Sequence, residues 1–88
     1  MQPHTKVYLD HFGLGEQDQI FDEVDFLEHG KLTIAVDIHH VNGRSKDGNA
    51  IQNLIALSRY NHNLAHESKH TKRYLSQLHE RFLRDNPY

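Results

Sequence analysis

The chain has no cysteine among its 88 residues. That absence excludes disulfides, thiolate metal sites and a thiol nucleophile together. Apolar residues are scarce as well: they make up 36% of the chain, and its mean hydropathy is −0.79. Two independent cores are excluded, because units below about 50 residues rarely hold together unaided. A small, lean domain usually needs a staple, whether a disulfide, a metal or a partner. No apolar run approaches the roughly 20 residues that span a bilayer, so no membrane segment is expected. Met1–Asp10 has neither an apolar core nor a small-residue cleavage pattern of the signal-peptide kind, and the expected location is the cytoplasm.

Against these absences stand 9 histidines. Imidazole, helped by carboxylates, is the natural metal ligand in such a chain, so any metal here is held by nitrogen and oxygen. Net charge is −2, but it is split along the chain. Residues 1–37 carry two basic and eight acidic side chains, a net of −6; residues 38–88 carry eight basic and four acidic, a net of +4. A split of this kind fits either a nucleic-acid face on the second half or two solvated surfaces of opposite sign.

The pattern implies an α+β chain with one domain over residues 1–88. Residues 1–20 read as an irregular arm with an apolar cluster at Val7, Tyr8, Leu9 and Phe12, broken by Gly13 and Gly15. Phe21–Leu27 alternates loosely, and Glu28 to Lys31 is a turn between extended segments. Leu32–His40 alternates with period 2 and is the clearest strand, with Leu32, Ile34, Val36 and Ile38 on one face and Asp37 and His39 on the other. Asn42–Asn49 is a loop, and Asn53–Leu57 a short returning strand. Ser58 is the expected cap of a helix starting near Arg59, with a break around Ser68–Thr71. The second helical stretch carries one apolar stripe, Leu75, Leu78 and Phe82, and stops at Asp85, Asn86 and Pro87.

The chemistry concentrates between Asp37 and His66. A His39-His40 pair ends the strand, Asn53 follows the loop, and His62 and His66 stand at i and i+4 on the expected helix. That helical spacing puts two imidazoles on one face, about 6 Å apart at Cβ. Two helix histidines and one from a hairpin can make a three-ligand site with an open position. Taken singly, each histidine is an ordinary surface residue, and His70 extends the row by a further turn.

As an ordered set, this stretch resembles the HNH nuclease family in its His-His version, as in nuclease colicins. The resemblance is close over Asp37–His66 and looser over Phe21–His66. It implies a ββα-metal core over about residues 32–67, with residues 1–31 as an arm and 68–88 as a C-terminal helix. It also implies a metal-dependent DNA endonuclease, of a phage or mobile element in the first place, and it leaves restriction, homing, repair and phage DNA processing open. Carried over by motif, His40 matches the general base on water, and Asn53 the residue that pins the loop and orients the base. His39, His62 and His66 match the metal ligands, and Asp37 an additional or alternative ligand. One divalent ion is implied, Mg, Mn, Ni or Zn. Arg44, Lys46 and Arg59 are the expected phosphate contacts beside the site. No base-reading signature is present, so DNA binding with little sequence specificity is expected. A catalytically silent DNA- or metal-binding module is the alternative.

The chain departs from the family at the structural zinc that many HNH domains carry on two C-x2-C knuckles. The matching positions are Asp22 and Asp25, and Ser58 and Asn61. In one reading the knuckle is lost and these side chains hydrogen-bond one another and nearby amides. In the other they form an oxygen site for Ca²⁺ or Mg²⁺, for which two carboxylates, one amide and one hydroxyl are a thin set. The first is the expectation, and no structural zinc is expected.

Overall fold

In a computed structural model of the chain, which describes residues 1–44, 48–85 and 88, β2 (Leu54–Leu57) is the centre of the molecule. All four of its residues are buried, because each face of the strand meets a different apolar cluster. Ile55 and Leu57 pack with Val24, Val41, Leu75 and Leu78. Leu54 and Ala56 pack with Tyr8, Phe12 and Phe82. β1 (Asp37–His40) pairs with β2 antiparallel, with Asp37 opposite Leu57 and His40 opposite Leu54. Among the described residues four helices enclose this two-stranded sheet: α1 (Pro3–His11), α2 (Glu23–His29), α3 (Arg59–His66) and α4 (Lys72–Asp85). The result is a small compact α+β fold, with a 3₁₀ turn at Ile51–Asn53 leading into β2.

The second half follows its sequence signals. Ser58 Oγ accepts from the Asn61 amide and starts α3. Thr71 Oγ1 accepts from the Tyr74 amide and starts the last helix. Between them α3 ends at His66 and Ser68 takes a positive φ of 61°. The histidine row therefore stops at His66, and His70 turns back to hydrogen-bond Asn61 Oδ1 at 2.9 Å. The apolar stripe of α4 is buried at Leu75, Leu78 and Phe82. Asn86 and Pro87, part of the expected helix stop, lie outside the described residues.

The first half departs from its sequence reading in three places. The arm is not irregular: Pro3–His11 is helical, with Pro at the first turn, where its missing N–H costs nothing. Phe21–Leu27 is not extended, since α2 occupies most of it. Val24 and Leu27, at i and i+3, share one cluster, and Asp22 caps the helix by accepting from the Asp25 amide at 2.6 Å. Gly30, at φ 65°, closes its C-terminus. Finally, the strand is shorter than Leu32–His40. Residues 31–36 are held by the Thr33 carbonyl accepting from the Asp22 amide, the Ala35 amide donating to Ile20, and one bridge between Phe21 and Ile34. Their apolar face turns outward: Leu32 is 64% exposed, Ile34 53% and Val36 55%. Half-buried Ala35 and Ile38 pack against the core instead. No helix among the described residues is long and apolar enough to cross a membrane.

Candidate metal centre and cleft

β1 alternates, so His39 and His40 leave it on opposite sides. On the His39 side lies α3, whose His62 and His66 share one face. The three imidazoles converge: ring centroids are 5.1 Å apart for His39 and His62, 5.7 Å for His39 and His66, and 4.5 Å for His62 and His66. One ring nitrogen from each lies within 4.8 Å of the others. The Nε2 atoms of His62 and His66 are 3.1 Å apart. Tetrahedral coordination with N–metal bonds of about 2.0–2.1 Å separates ligand nitrogens by about 3.3 Å, so this donor set suits one divalent ion.

Asp37 is placed beside this group and not within it. Its Oδ2 accepts from His62 Nδ1 at 2.9 Å. The contact fixes the His62 tautomer and turns the Nε2 lone pair toward the other two rings, as a carboxylate behind a ligating histidine does. Arg59 Nε stands 4.0 Å from the same oxygen, with most of its side chain in solvent. Burial, with repulsion from His62, His66 and His40 added, pushes the His39 imidazole down to about 4. At neutral pH His39 is therefore an uncharged ring with a lone pair to give.

His40 is kept apart from the cluster. Its Nε2–H donates to Asn49 Oδ1 at 3.0 Å, which leaves Nδ1 as the basic nitrogen. The His4 ring packs against it edge to face, with centroids 4.7 Å apart. Buried Asn53 ties the loop after β1 together. Its Oδ1 accepts from the Asn42 amide at 2.7 Å. Its Nδ2 donates to the Gly43 carbonyl at 2.8 Å and the Gly48 carbonyl at 2.9 Å. Both described ends of the loop are thus fixed on one side chain. His39, His40, His62 and His66 open onto a cleft of about 570 Å³ that Arg44 also lines. Lys46 lies outside the described residues.

The four positions matched to the cysteine knuckle come together as well, as a closed polar cluster. Asp22 Oδ2 accepts from the Ser58 amide at 2.5 Å and from Asn61 Nδ2 at 2.9 Å. Asn61 Nδ2 also donates to Asp25 Oδ1 at 3.1 Å. Asp22, Ser58 and Asn61 are all buried. The cluster joins the start of α2 to the start of α3, so it holds the helix that carries His62 and His66.

Two groups escaped the sequence reading. His4 falls in the segment whose composition reads as an irregular arm, and Pro3 at a helix start is the local signal for its place. The other is a fully buried trio. The Tyr8 hydroxyl donates to Glu23 Oε2 at 2.6 Å, and His79 Nδ1 lies 2.6 Å from Glu23 Oε1. The Ala56 amide also donates to Glu23 Oε2 at 3.1 Å, and His79 Nε2–H to the Ile51 carbonyl at 2.7 Å. Burial alone pushes the His79 imidazole down, but its hydrogen bond with Glu23 and that carboxylate's charge outweigh it, and the net direction is up. His79 stands four residues after Leu75 and three before Phe82, so the stripe itself pointed to its burial.

Comparison with protein-family models, with curated proteins and with solved structures finds no match for this chain.

Proposed function

We propose that the chain is a metal-dependent DNA endonuclease built on a ββα-metal core of β1, β2 and α3. The observation that carries this reading is the convergence of three imidazoles, from a strand and a helix, beside a fourth that is held away from them. His39, His62 and His66 would hold a divalent ion, and Asp37 orients His62. When bound, the divalent ion neutralises charge on the phosphate and stabilises the leaving oxygen. His40 Nδ1, the nitrogen not engaged by Asn49, takes a proton from water. The hydroxide so formed attacks phosphorus as the P–O bond to the leaving alkoxide breaks. Asn49 fixes the His40 tautomer, and Asn53 fixes the loop that presents Asn49. Arg44 and Arg59 supply positive charge for the backbone, with little reading of bases.

In this proposal the Asp22–Asp25–Ser58–Asn61 cluster does the mechanical work of a structural zinc, and the cleft histidines are the residues that would hold a metal ion. The resemblance to HNH nucleases over Asp37–His66 supports the assignment, as does the agreement of the motif's spacing with the distances above. Supercoiled plasmid, incubated with the protein and Mg²⁺, Mn²⁺, Ni²⁺ or Zn²⁺, tests it. Nicking by the wild type and at least a hundredfold less by His40→Ala is expected. Binding without nicking under every metal would replace the nuclease with a silent DNA-binding module.

A further inference from the structure

We propose that the first turn of α1, together with Arg44, forms a subsite for a backbone phosphate of a nucleic-acid strand, with His4 as its central hydrogen-bond donor. This rests on the nuclease reading for its biological meaning, since the phosphate held here would neighbour the one at the histidine cluster. The subsite itself is measurable without cleavage.

His4 is only 7% exposed. Among the described residues, however, neither of its ring nitrogens has a hydrogen-bond partner, and neither is sealed from solvent. It lines the cleft with Gln2 and Thr5 from the same turn. A ring held in place with its nitrogens open to the cleft can donate to a ligand acceptor there without first breaking a bond within the protein. Burial, with the nearby charges of His40 and Arg44, holds the His4 imidazole below its usual value. It therefore meets an anion as a neutral N–H donor.

The backbone here has the same bias. Gln2 offers no side-chain cap, Pro3 has no N–H, and no acidic residue sits in the first turn of α1. The amides of His4 and Thr5 are left without helical partners at the positive end of the helix dipole. Arg44 lines the same cleft and forms no ion pair among the described residues. The carboxylate in the cleft wall is Asp37, which is engaged by His62 and faced by Arg59. Among the described residues the α1 side of the cleft thus offers donors and positive charge and no competing acid, which suits an anion with several acceptor oxygens. Since α1 flanks β1 on the His40 side and α3 on the His39 side, a strand crossing β1 would touch both.

The test uses the full chain in EDTA, with a short fluorescein-labelled single-stranded DNA followed by anisotropy over a range of salt. His4→Phe keeps the aromatic packing on His40 and removes the donor. It is expected to weaken binding roughly 5- to 20-fold, with an unchanged melting temperature. His4→Gln, which keeps a donor, should recover most of that loss. Arg44→Gln, an exposed position, should lower the salt slope by about 0.7. Inorganic phosphate, followed by the amide shifts of His4 and Thr5, provides the second arm. Wild-type affinity in both His4→Phe and Arg44→Gln, or no binding of DNA by the wild type at low salt, would overturn the subsite. Phosphate that shifts those amides while DNA neither shifts them nor competes would overturn its assignment to a strand. His4-dependent binding without nicking under any metal would leave the subsite standing and remove the nuclease reading instead.

Discussion

Two clusters in this molecule are built around histidine, and they are satisfied in opposite ways. In the Tyr8–Glu23–His79 trio every polar atom has a partner, and Glu23 and His79 are 0% and 1% exposed. It joins α1, α2, α4 and β2 and is sealed from solvent. In the His39–His62–His66 cluster, among the described residues, Asp37 orients His62, His62 and His66 share one hydrogen bond between their Nε2 atoms at 3.1 Å, and the three rings stand beside an open cleft. A polar group buried for the fold is hydrogen-bonded within the fold. A group kept for a ligand has lone pairs left over. By that measure the trio and the Asp22 cluster are staples, and in the proposed reading the three cleft histidines are kept for a ligand.

The contrast breaks most sharply at Glu23. Glu23→Ala strands His79, the Tyr8 hydroxyl and the Ala56 amide in the core, and should cost about 3–5 kcal/mol in urea unfolding. A loss under about 1 kcal/mol would mean that the trio is not a staple. Asp22→Ala removes a helix cap together with the acceptor for the Ser58 amide and Asn61. Its expected cost is about 2–3 kcal/mol by the same measurement.

The pH dependence of the trio comes next. The His79 pKa is raised in the fold, so the folded state holds a proton that the unfolded chain releases near pH 6.5. Its contribution is full below that pH and is lost as pH rises through the folded pKa. Stability should fall by about 1.4 kcal/mol per pH unit over that window. His79→Gln should flatten that part of the curve, and thermal melts at several pH values would detect it. The smallest effect belongs to the cleft. His62→Ala in EDTA should lie within about 0.5 kcal/mol of the wild type. Zinc at a hundred times its dissociation constant should add about 2.7 kcal/mol to the wild type only. A large metal-free loss in His62→Ala would make the cluster structural and erase the contrast.

Much of this arrangement is legible in the sequence where local signals agree. Ser58, Thr71 and the Leu75–Leu78–Phe82 stripe point to the last two helices because caps and period coincide. The i, i+4 spacing of His62 and His66 survives folding unchanged, since α3 is regular. Legibility fails where a long-range contact decides. Glu23 reads as a surface acid until Tyr8 and His79 meet it from 15 and 56 residues away. Period 2 in Leu32–Val36 marks a face correctly but not its direction. β2 already has both faces covered by the two clusters, so that row is left outward. His4 carried no signal at all beyond Pro3, because its place depends on how α1 docks beside β1.

The central contrast is tested most directly by titrating the metal-free protein with Co²⁺ and reading the d–d absorption of tetrahedral nitrogen coordination. One ion per chain is expected, abolished by His39→Ala, His62→Ala or His66→Ala. It should be retained in His40→Ala and in Asp25→Asn. A second ion that survives loss of His62, or uptake unchanged when any of the three histidines is removed, would contradict the assignment of the cleft as the metal centre.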